Sequence, residues 1–499
     1  MKKNLTSFGS LNQFFLIFIC LFCVVSVYRD FHVYEFLDTI EHIRASLAVS
    51  FGFLPYVDFF EHHHPLLWYI LAPLAKVFYL NIAIIPVFRI IGTLSYLACI
   101  YIAYQINKKH LYGSSAAKFS TLCVLSVPML WMDISNLRPD SFMLLFFLIG
   151  IKYYFDYVDL KKRRNLIISY IAISVSFLFL QKSLFLIFVF GGYNLYALIK
   201  KEIVKSDFVV ACICGILPIL IYLCYLFYYK MWPAFFYYNY TFNAQMQDYY
   251  GDYISGVPYF LKILAFFLCL FIIRTYHFSM KTGLLFGCFL ISGVSLIYFA
   301  PHSWYYIPYF MFGVMLIGNF VNVCNRYRFI IIGVCVFSLI LMYPLQDEAQ
   351  RYRKYMRTVS NIVEQNMQDD MMDFRILRAN IFSGFQDFYW FGFHNVVIVD
   401  EIYHQDKHFD PNDEVKAKKP KYLALESSHY SFMPFDTVAK EKAEWFMLRN
   451  RNLMRKLNKY PVLRGKIQYI ETNFWKIDET WIKENYEQIK GTDVYKRKD

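Results

Sequence analysis

Long apolar segments alternate with short polar loops through the first 344 residues of the chain. An α-helix needs an apolar run of roughly twenty residues to cross a bilayer, and the pattern predicts about eleven such helices. The segment 66–79 is aromatic and broken by Pro73, so we predict a re-entrant or surface helix there. The predicted spans cover approximately 11–28, 89–106, 118–131, 142–158, 167–180, 185–199, 208–228, 257–273, 284–299, 307–323 and 329–343.

The composition agrees with this pattern. Apolar residues make up 58% of the 499 residues, which is more than a soluble protein of this length carries. Lys2 and Lys3 precede the first apolar run, and no small-residue cleavage site follows it, so the first span is predicted to be retained. The chain is therefore predicted to be an α-helical polytopic membrane protein.

The net charge of +13 would suggest nucleic acid in a soluble chain, but here many cations lie in short loops between apolar segments. Such clusters mark the cytoplasmic side of a membrane protein, and we expect no nucleic-acid partner. The acidic residues then fall on the other side, which predicts extracytoplasmic chemistry. The orienting clusters are Lys108–His110, Lys161–Arg164 and Lys200, Lys201 and Lys205.

The composition changes after residue 344, where charged residues become frequent and no apolar run of spanning length remains. We predict two domains: a transmembrane domain of residues 1–344 and a soluble domain of residues 345–499. An odd number of spans puts the second domain outside the cytoplasm. It is predicted to be a small α/β accessory domain, with a helix over Gln346–Met371 and short strands at 395–400, 422–426 and 466–471.

The stretch Val33–Tyr69 carries the densest group of ionisable side chains between two apolar segments. Its first half predicts an amphipathic helix on the membrane surface, because apolar residues recur at helical spacing and the polar ones fall on a different side. Gly52 and Pro55 would end that helix, and a loop would return the chain to the surface. The alternative is an ordinary solvated loop. The polar candidates in this stretch are Asp38, Glu41, His42, Asp58, Glu61, His62, His63 and His64.

Further candidates lie at the predicted outer ends of other spans, and each has a structural alternative. Asp140 follows Arg138 and Pro139 as a helix N-terminal residue would. Lys182 is placed to bind a phosphate or to reach the membrane interface. His302 and Tyr305 are placed to face a cavity or to belong to an interfacial aromatic belt.

These residue types suit a reaction in which a phosphate leaves and a hydroxyl loses its proton. An aspartate can accept the proton as general base, and a cation can neutralise charge on the phosphate. Asp38 and Asp140 are the main catalytic candidates. Three adjacent histidines have diverging side chains, so we do not expect all of His62 to His64 to hold one metal ion.

Four strings in this sequence resemble the GT-C membrane glycosyltransferases, the superfamily of protein O-mannosyltransferases and aminoarabinose transferases. The most specific is Gly52 to His63, which reads GFLPYVDFFEHH, while the shorter strings are less specific. Their order and predicted side match the bacterial members as far as Tyr306. The other three strings are Asp38-Thr39-Ile40-Glu41-His42, Arg138-Pro139-Asp140 and Gln181-Lys182.

The resemblance implies many transmembrane helices with periplasmic juxtamembrane helices, and an inverting sugar transfer from a polyprenyl-phosphate donor. It implies that Asp38 is the base, that Asp140 lies in the second external loop, and that Glu61 and the adjacent histidines meet the lipid phosphate. One departure is that the family often has two successive acids where this chain has Asp38 and Thr39. A catalytic role divided between two successive carboxylates is therefore in doubt, unless Glu41, one helical turn later, takes the place of the second acid.

The expected protein is therefore a bacterial inner-membrane enzyme that transfers a sugar to lipopolysaccharide, another surface glycan or a protein. Lys182, Arg138 and a divalent cation are candidates for stabilising the leaving phosphate. One alternative is a transporter or flippase of lipid-linked sugars, which would carry ionisable residues near the bilayer midplane and related halves. Another is an O-antigen ligase or polymerase, which would transfer whole oligosaccharides.

Overall fold

A computed structural model describes residues 5–33, 37–59, 61–126, 134–244, 279–298, 306–316, 328–342, 346–367, 370–373, 411–424, 479–490 and 494–498. The described part is predominantly helical. Its helices α1 to α9 are Leu5–Asp30, Leu37–Ser50, Leu66–Val77, Ile84–Ile106, Ser114–Leu125, Pro139–Leu160, Arg163–Phe179, Ser183–Ile199 and Lys205–Tyr228. Helices α10 to α16 are Trp232–Phe236, Met280–Tyr298, Tyr306–Leu316, Arg328–Met342, Gln346–Glu364, Pro411–Lys418 and Glu479–Asn485. π-helical turns follow α4 at Asn107–Leu111 and α10 at Tyr237–Phe242.

Four helical segments are long and apolar enough to cross a membrane among the residues described. α6 and α7 pack antiparallel, and Gly150 permits their close approach, since a Cβ there would lie 2.5 Å from Ile173 Cγ1. The protein is thus a multi-pass membrane protein, while the total of eleven spans remains a prediction and the predicted span 257–273 lies outside the described residues. The four segments are Gln13–Asp30, Ile84–Leu111, Pro139–Leu160 and Lys205–Tyr228.

Helix α2 lies where the amphipathic pattern predicted a helix, but its environment differs from the prediction. Its apolar side, Ile40, Ile43 and Leu47, packs in the protein core beside α3. Its polar side is also buried: Glu41 and His42 are 6% and 1% exposed. These two polar side chains are covered by the loop that carries His63, which lies beside Glu41, and by Trp68 of α3, which bonds to His42.

Helix α14 joins two parts of the protein. Tyr352, Tyr355 and Val359 belong to the main core, whereas Ile362 packs with Met371 and other residues of a small sheet. The predicted helix over Gln346–Met371 is shorter in the structure. Asn366 adopts a positive φ of 52° and the Met367 N–H bonds to the Ile362 carbonyl, which is a helix-ending arrangement.

The small sheet has four strands: β1 (Met371–Asp373), β2 (Tyr422–Ala424), β3 (Tyr486–Gln488) and β4 (Val494–Arg497). Their order in the sheet is β1-β2-β4-β3. β1 and β2 pair in parallel, and the other neighbours pair antiparallel. The predicted strand at 422–426 is observed over 422–424, while those at 395–400 and 466–471 lie outside the described residues. The division into domains of 1–344 and 345–499 remains a prediction.

Candidate active site

Two carboxylates and two cations meet at the N-terminal end of α6. Pro139 and Asp140 begin that helix, since proline favours the first helical position. The Arg138 guanidinium donates to the Asp38 carboxylate from one nitrogen, and its Nε lies 3.2 Å from Asp140 Oδ2. Lys182, the residue before α8, places its Nζ 3.8 Å from Asp140 Oδ1. Three separate chain segments therefore build one ionic cluster.

The two carboxylates differ in how far solvent reaches them. The Asp38 side chain is 26% exposed and that of Asp140 is 9% exposed. Lys182 is 25% exposed and Arg138 only 6%. An incoming molecule can therefore reach Asp38 and Lys182, whereas Asp140 and Arg138 form the interior of the cluster.

A second polar cluster lies next to the first. Glu41 of α2 and Glu61, His62 and His63 of the following loop place one ligand atom each within 4.8 Å of one another. His63 Nδ1 lies 3.1 Å from Glu61 Oε2 and 3.7 Å from Glu41 Oε1. Glu61 Oε1 accepts no hydrogen bond from an N–H or a hydroxyl of the described residues, and the Glu41 carboxyl group lies within hydrogen-bond reach of Glu61. Two buried carboxylates with two imidazoles form a donor set that suits a divalent cation.

Burial changes the protonation of this second cluster. It raises the pKa of Glu41 well above its usual value, and the nearby Glu61 carboxylate adds to that rise. Burial lowers the pKa of His63 to about 3, with a further contribution from Arg138. The pKa of His62 also falls well below its ordinary value, chiefly through burial and then through His63. Both imidazoles are consequently neutral near pH 7, which is the form that ligates metals.

The loop between α2 and α3 holds an unusual conformation that aims Glu61 and His63 at α2. Tyr56 has a positive φ of 68° and is 2% exposed, a costly combination for a bulky residue. Its hydroxyl donates to the His63 carbonyl over 2.5 Å. The exposed Asp58 accepts a hydrogen bond of 2.6 Å from the Leu54 N–H. Asp58 thus closes the turn within its own loop.

The predicted histidines separate into three roles. His62 and His63 both face the carboxylates, so two of the three adjacent histidines share one cluster. His64 points elsewhere, with Nδ1 2.7 Å from the Phe177 carbonyl, and burial lowers its pKa to about 4. His42 accepts a 3.1 Å hydrogen bond from Trp68 Nε1, and burial lowers its pKa to about 3.

Sequence reasoning missed several residues that support this site. Besides Tyr56 and Trp68, these include Asn243, whose amide donates to the His62 carbonyl over 2.8 Å. Gln181, which belongs to the predicted Gln181-Lys182 string, donates to the same oxygen over 3.3 Å. Tyr56 falls inside the recognised string, which is a usable signal, whereas Asn243 has none in the sequence. The remaining predicted site residues, His302 and Tyr305, lie outside the described residues.

One family model matches part of the chain. Residues 62–227 match the model of a family described as dolichyl-phosphate-mannose-protein mannosyltransferase. The match includes Arg138, Asp140 and Lys182 and begins after Asp38 and Glu41. No curated protein matches the chain.

Two solved structures are similar in fold. The crystal structure of ArnT from Cupriavidus metallidurans bound to undecaprenyl phosphate has a TM-score of 0.46 and 14% identity, covering 70% of this chain and 68% of that one. The apo structure of the same protein has a TM-score of 0.44 and 14% identity, covering 70% and 69%. The family match covers about a third of the chain and includes the Arg138-Pro139-Asp140 and Gln181-Lys182 strings.

Proposed function

We propose that this protein is an inverting glycosyltransferase that moves a sugar from a polyprenyl-phosphate donor to an extracytoplasmic acceptor. One observation carries the proposal: an accessible aspartate, Asp38, shares Arg138 with the buried Asp140, beside Lys182, at one end of the helix bundle. This arrangement offers a base and two cations together. The family match supports a membrane glycosyltransferase, and the motif resemblance supports inversion and the lipid donor.

In the proposed step, the acceptor hydroxyl attacks the anomeric carbon while its proton passes to Asp38. The bond between that carbon and the phosphate oxygen breaks, and its electron pair leaves with the polyprenyl phosphate. Lys182 and Arg138 offset the negative charge that grows on the leaving oxygen. Asp140 holds both cations in position, since its two oxygens face one cation each.

We propose the cluster of Glu41, Glu61, His62 and His63 as a site for a divalent cation. The donor atoms fit, because the carboxyl groups of Glu41 and Glu61 lie beside two neutral imidazoles, and Glu41 would give up its proton to a bound cation. When bound, the cation would supply positive charge to phosphate oxygens. The Glu61 carboxylate accepts a hydrogen bond from the His62 backbone N–H over 2.9 Å. That bond fixes the position of the Glu61 carboxylate relative to His62, another residue of the cluster.

The proposed location is the bacterial inner membrane, with the site and residues 345–499 outside the cytoplasm. The apolar helices that carry the cluster support contact with membrane lipid. The proposed acceptor is lipopolysaccharide, another surface glycan or a protein, and the sugar is a hexose or a pentose. Labelling of single cysteines at positions 38 and 140 from either side of a sealed membrane tests this placement, because modification from opposite sides would contradict it.

A transporter or flippase of lipid-linked sugars is less well supported. The acidic residues of α6 concentrate at its two ends, with Asp140 in the first turn and Asp156 and Asp159 near the last, while Lys152 between them pairs with Asp156. A conduction path instead needs such residues near the midplane.

The deciding experiment reconstitutes the purified protein in lipid nanodiscs with undecaprenyl phosphate carrying one sugar. Acceptor-dependent release of undecaprenyl phosphate supports the proposal. Release only from an oligosaccharide-bearing lipid would favour a ligase or polymerase. A parallel assay uses the protein in sealed vesicles. Movement of the intact lipid from one leaflet to the other, without release of undecaprenyl phosphate, would overturn the proposal in favour of a flippase.

A further inference from the structure

Two side chains of α4 contact both chain segments that carry the proposed catalytic carboxylates. The Arg89 side chain is fully buried and donates from Nη1 to the Val33 carbonyl over 2.7 Å. Its Nε donates to the Ser135 carbonyl over 3.2 Å. Val33 precedes α2 and Asp38, while Ser135 precedes Arg138 and Asp140. One guanidinium therefore spans the two segments.

Thr93 makes the same connection one helical turn later. Its hydroxyl lies 3.0 and 3.1 Å from the Asp30 carboxylate oxygens and 3.2 Å from the Ile134 carbonyl. Asp30 is the last residue of α1, and Ile134 lies in the segment before α6. Residues four apart lie on one side of a helix, so Arg89 and Thr93 form a continuous edge against both segments.

The segment before α6 lies directly on this edge of α4. A Cβ at Gly92 would come within 2.7 Å of the Asn136 carbonyl oxygen, so only glycine permits the observed approach. The Leu137 N–H donates to Thr39 Oγ1 over 3.0 Å. That bond joins the residue after Asp38 to the residue before Arg138.

We propose that Arg89 and Thr93 are positioning residues that set the separation between Asp38 and the Arg138–Asp140 pair. This inference rests on the proposed function. Neither residue is needed to touch the substrate. Arg89 holds two backbone carbonyls, and Thr93 holds one carbonyl and the Asp30 carboxylate, in the chain segments that lead to the reacting groups. A shift of about 1 Å in such groups can lower a rate about 100-fold.

Tyr352 also contacts Arg89. It belongs to α14, the helix that follows the last described apolar helix. The Arg89 guanidinium carbon lies 5.9 Å from the centre of the Tyr352 ring, within cation–π distance. The Tyr352 side chain is 5% exposed. Residues beyond 345 therefore contribute to holding Arg89, and through it the two segments.

The test compares Thr93→Val with Thr93→Ser, which keeps the hydroxyl, and with Thr121→Val as a matched control. Thr121 is a buried threonine of α5 whose hydroxyl bonds only within its own helix in the described structure. Thr93→Val should lower kcat about 10- to 100-fold and leave KM for the undecaprenyl-phosphate sugar within about twofold. Thr93→Ser and Thr121→Val should retain near-normal kcat. Arg89→Lys should behave as Thr93→Val does, and if it fails to fold the threonine series decides.

A second measurement does not depend on activity. Hydrogen exchange of the amides at 135–138 should speed up in Thr93→Val, while exchange in α7 stays unchanged. Any of three results would overturn the inference. They are equal kcat in Thr93→Val and Thr121→Val, a rise in KM for the donor in Thr93→Val as large as its fall in kcat, and unchanged hydrogen exchange at 135–138. If the normal protein transfers no sugar, the proposed function fails and the exchange result still tests the positioning.

Discussion

The two ends of α6 carry ionic clusters of different kinds. At the C-terminal end, Asp156 bonds Lys109 and lies 3.2 Å from Lys152, while Asp159 lies 2.5 Å from Lys281. His110 lies between the two carboxylates, 3.3 Å from Asp156 and 2.9 Å from Asp159. Each acid there pairs with at least one lysine of its own, and the pairs join α6 to α11 and to the π-helical turn after α4. That arrangement links helix ends.

At the N-terminal end, acids are brought close to other acids. Asp38 and Asp140 share Arg138, and the buried Glu41 lies in the same ligand cluster as Glu61. Burying like charges together destabilises a fold unless a cation or proton intervenes. Stability alone explains the C-terminal cluster but not this one. Groups held at such a cost are typical of functional sites.

The largest effect should come from Asp38→Asn, which removes the proposed base and keeps the shape. Transfer should fall about 1,000-fold or more, because general-base catalysis contributes about 100- to 10,000-fold. Donor binding and the melting temperature should change little, since Asp38 is partly exposed. The measurement is single-turnover release of undecaprenyl phosphate in nanodiscs.

The matched control for that change is Asp156→Asn, which removes a buried carboxylate from the other end of the bundle. Folded Asp156→Asn protein should transfer sugar at close to the normal rate. Should Asp38→Asn keep more than a tenth of normal activity, Asp38 is not the base.

A smaller effect is expected from Glu61→Gln, which tests the proposed cation site. The normal protein should purify with about one divalent cation per chain, and the variant should lose most of it, because loss of a carboxylate ligand weakens binding. Transfer should fall about 10- to 100-fold. Elemental analysis gives the metal content independently of activity. Equal metal content in both proteins, or none in either under metal-replete conditions, contradicts the proposed site.

Lys182→Met should act mainly on the donor. Lys182 is partly exposed and 3.8 Å from Asp140, so its loss removes one cation from the phosphate position while Arg138 stays. We expect KM for the lipid donor to rise about tenfold with a smaller drop in kcat. Lys182→Arg, which restores the charge, should recover part of the affinity. A Lys182→Met enzyme with normal KM would show that this lysine only pairs with Asp140.

Much of the helical framework could be predicted from the sequence, because apolar runs report directly on membrane helices. Predicted 142–158 and 208–228 correspond to α6 and α9 with shifts of a few residues at their ends. Helix ends are harder, since capping decides them: Asn366 ended α14 before Met371. The amphipathic pattern of α2 gave the helix but not its burial, which depends on distant segments.

The candidate residues were predictable only where a local string marked them. Asp38, Arg138, Asp140 and Lys182 stand in such strings, and the structure brings them together. In the sequence, Arg89 only marks the start of a predicted apolar helix. Nothing in the residues beside it predicts its contacts with Val33 and Ser135. Contacts between segments far apart in the chain follow from packing, which a single sequence does not display.

The smallest effect on transfer should come from Asp207→Asn, at the end of the bundle opposite to the site. Asp207 is 7% exposed and accepts bonds from Arg163 Nε at 2.6 Å and the Tyr157 hydroxyl at 3.2 Å, joining α6, α7 and α9. Its loss should lower the free energy of unfolding by about 1–3 kcal/mol, because a hydrogen-bonded charge leaves buried partners behind. Thermal unfolding in detergent measures this.

The control is Arg163→Gln, since the Arg163 side chain is 53% exposed and its removal should cost less stability than that of Asp207. Both folded variants should transfer sugar normally if the two ends have separate roles. A tenfold loss of transfer in folded Asp207→Asn protein would mean that the far end also sets the geometry of the site. The two ends of the helix bundle would then be coupled, and they could not be assigned separate roles in stability and in catalysis.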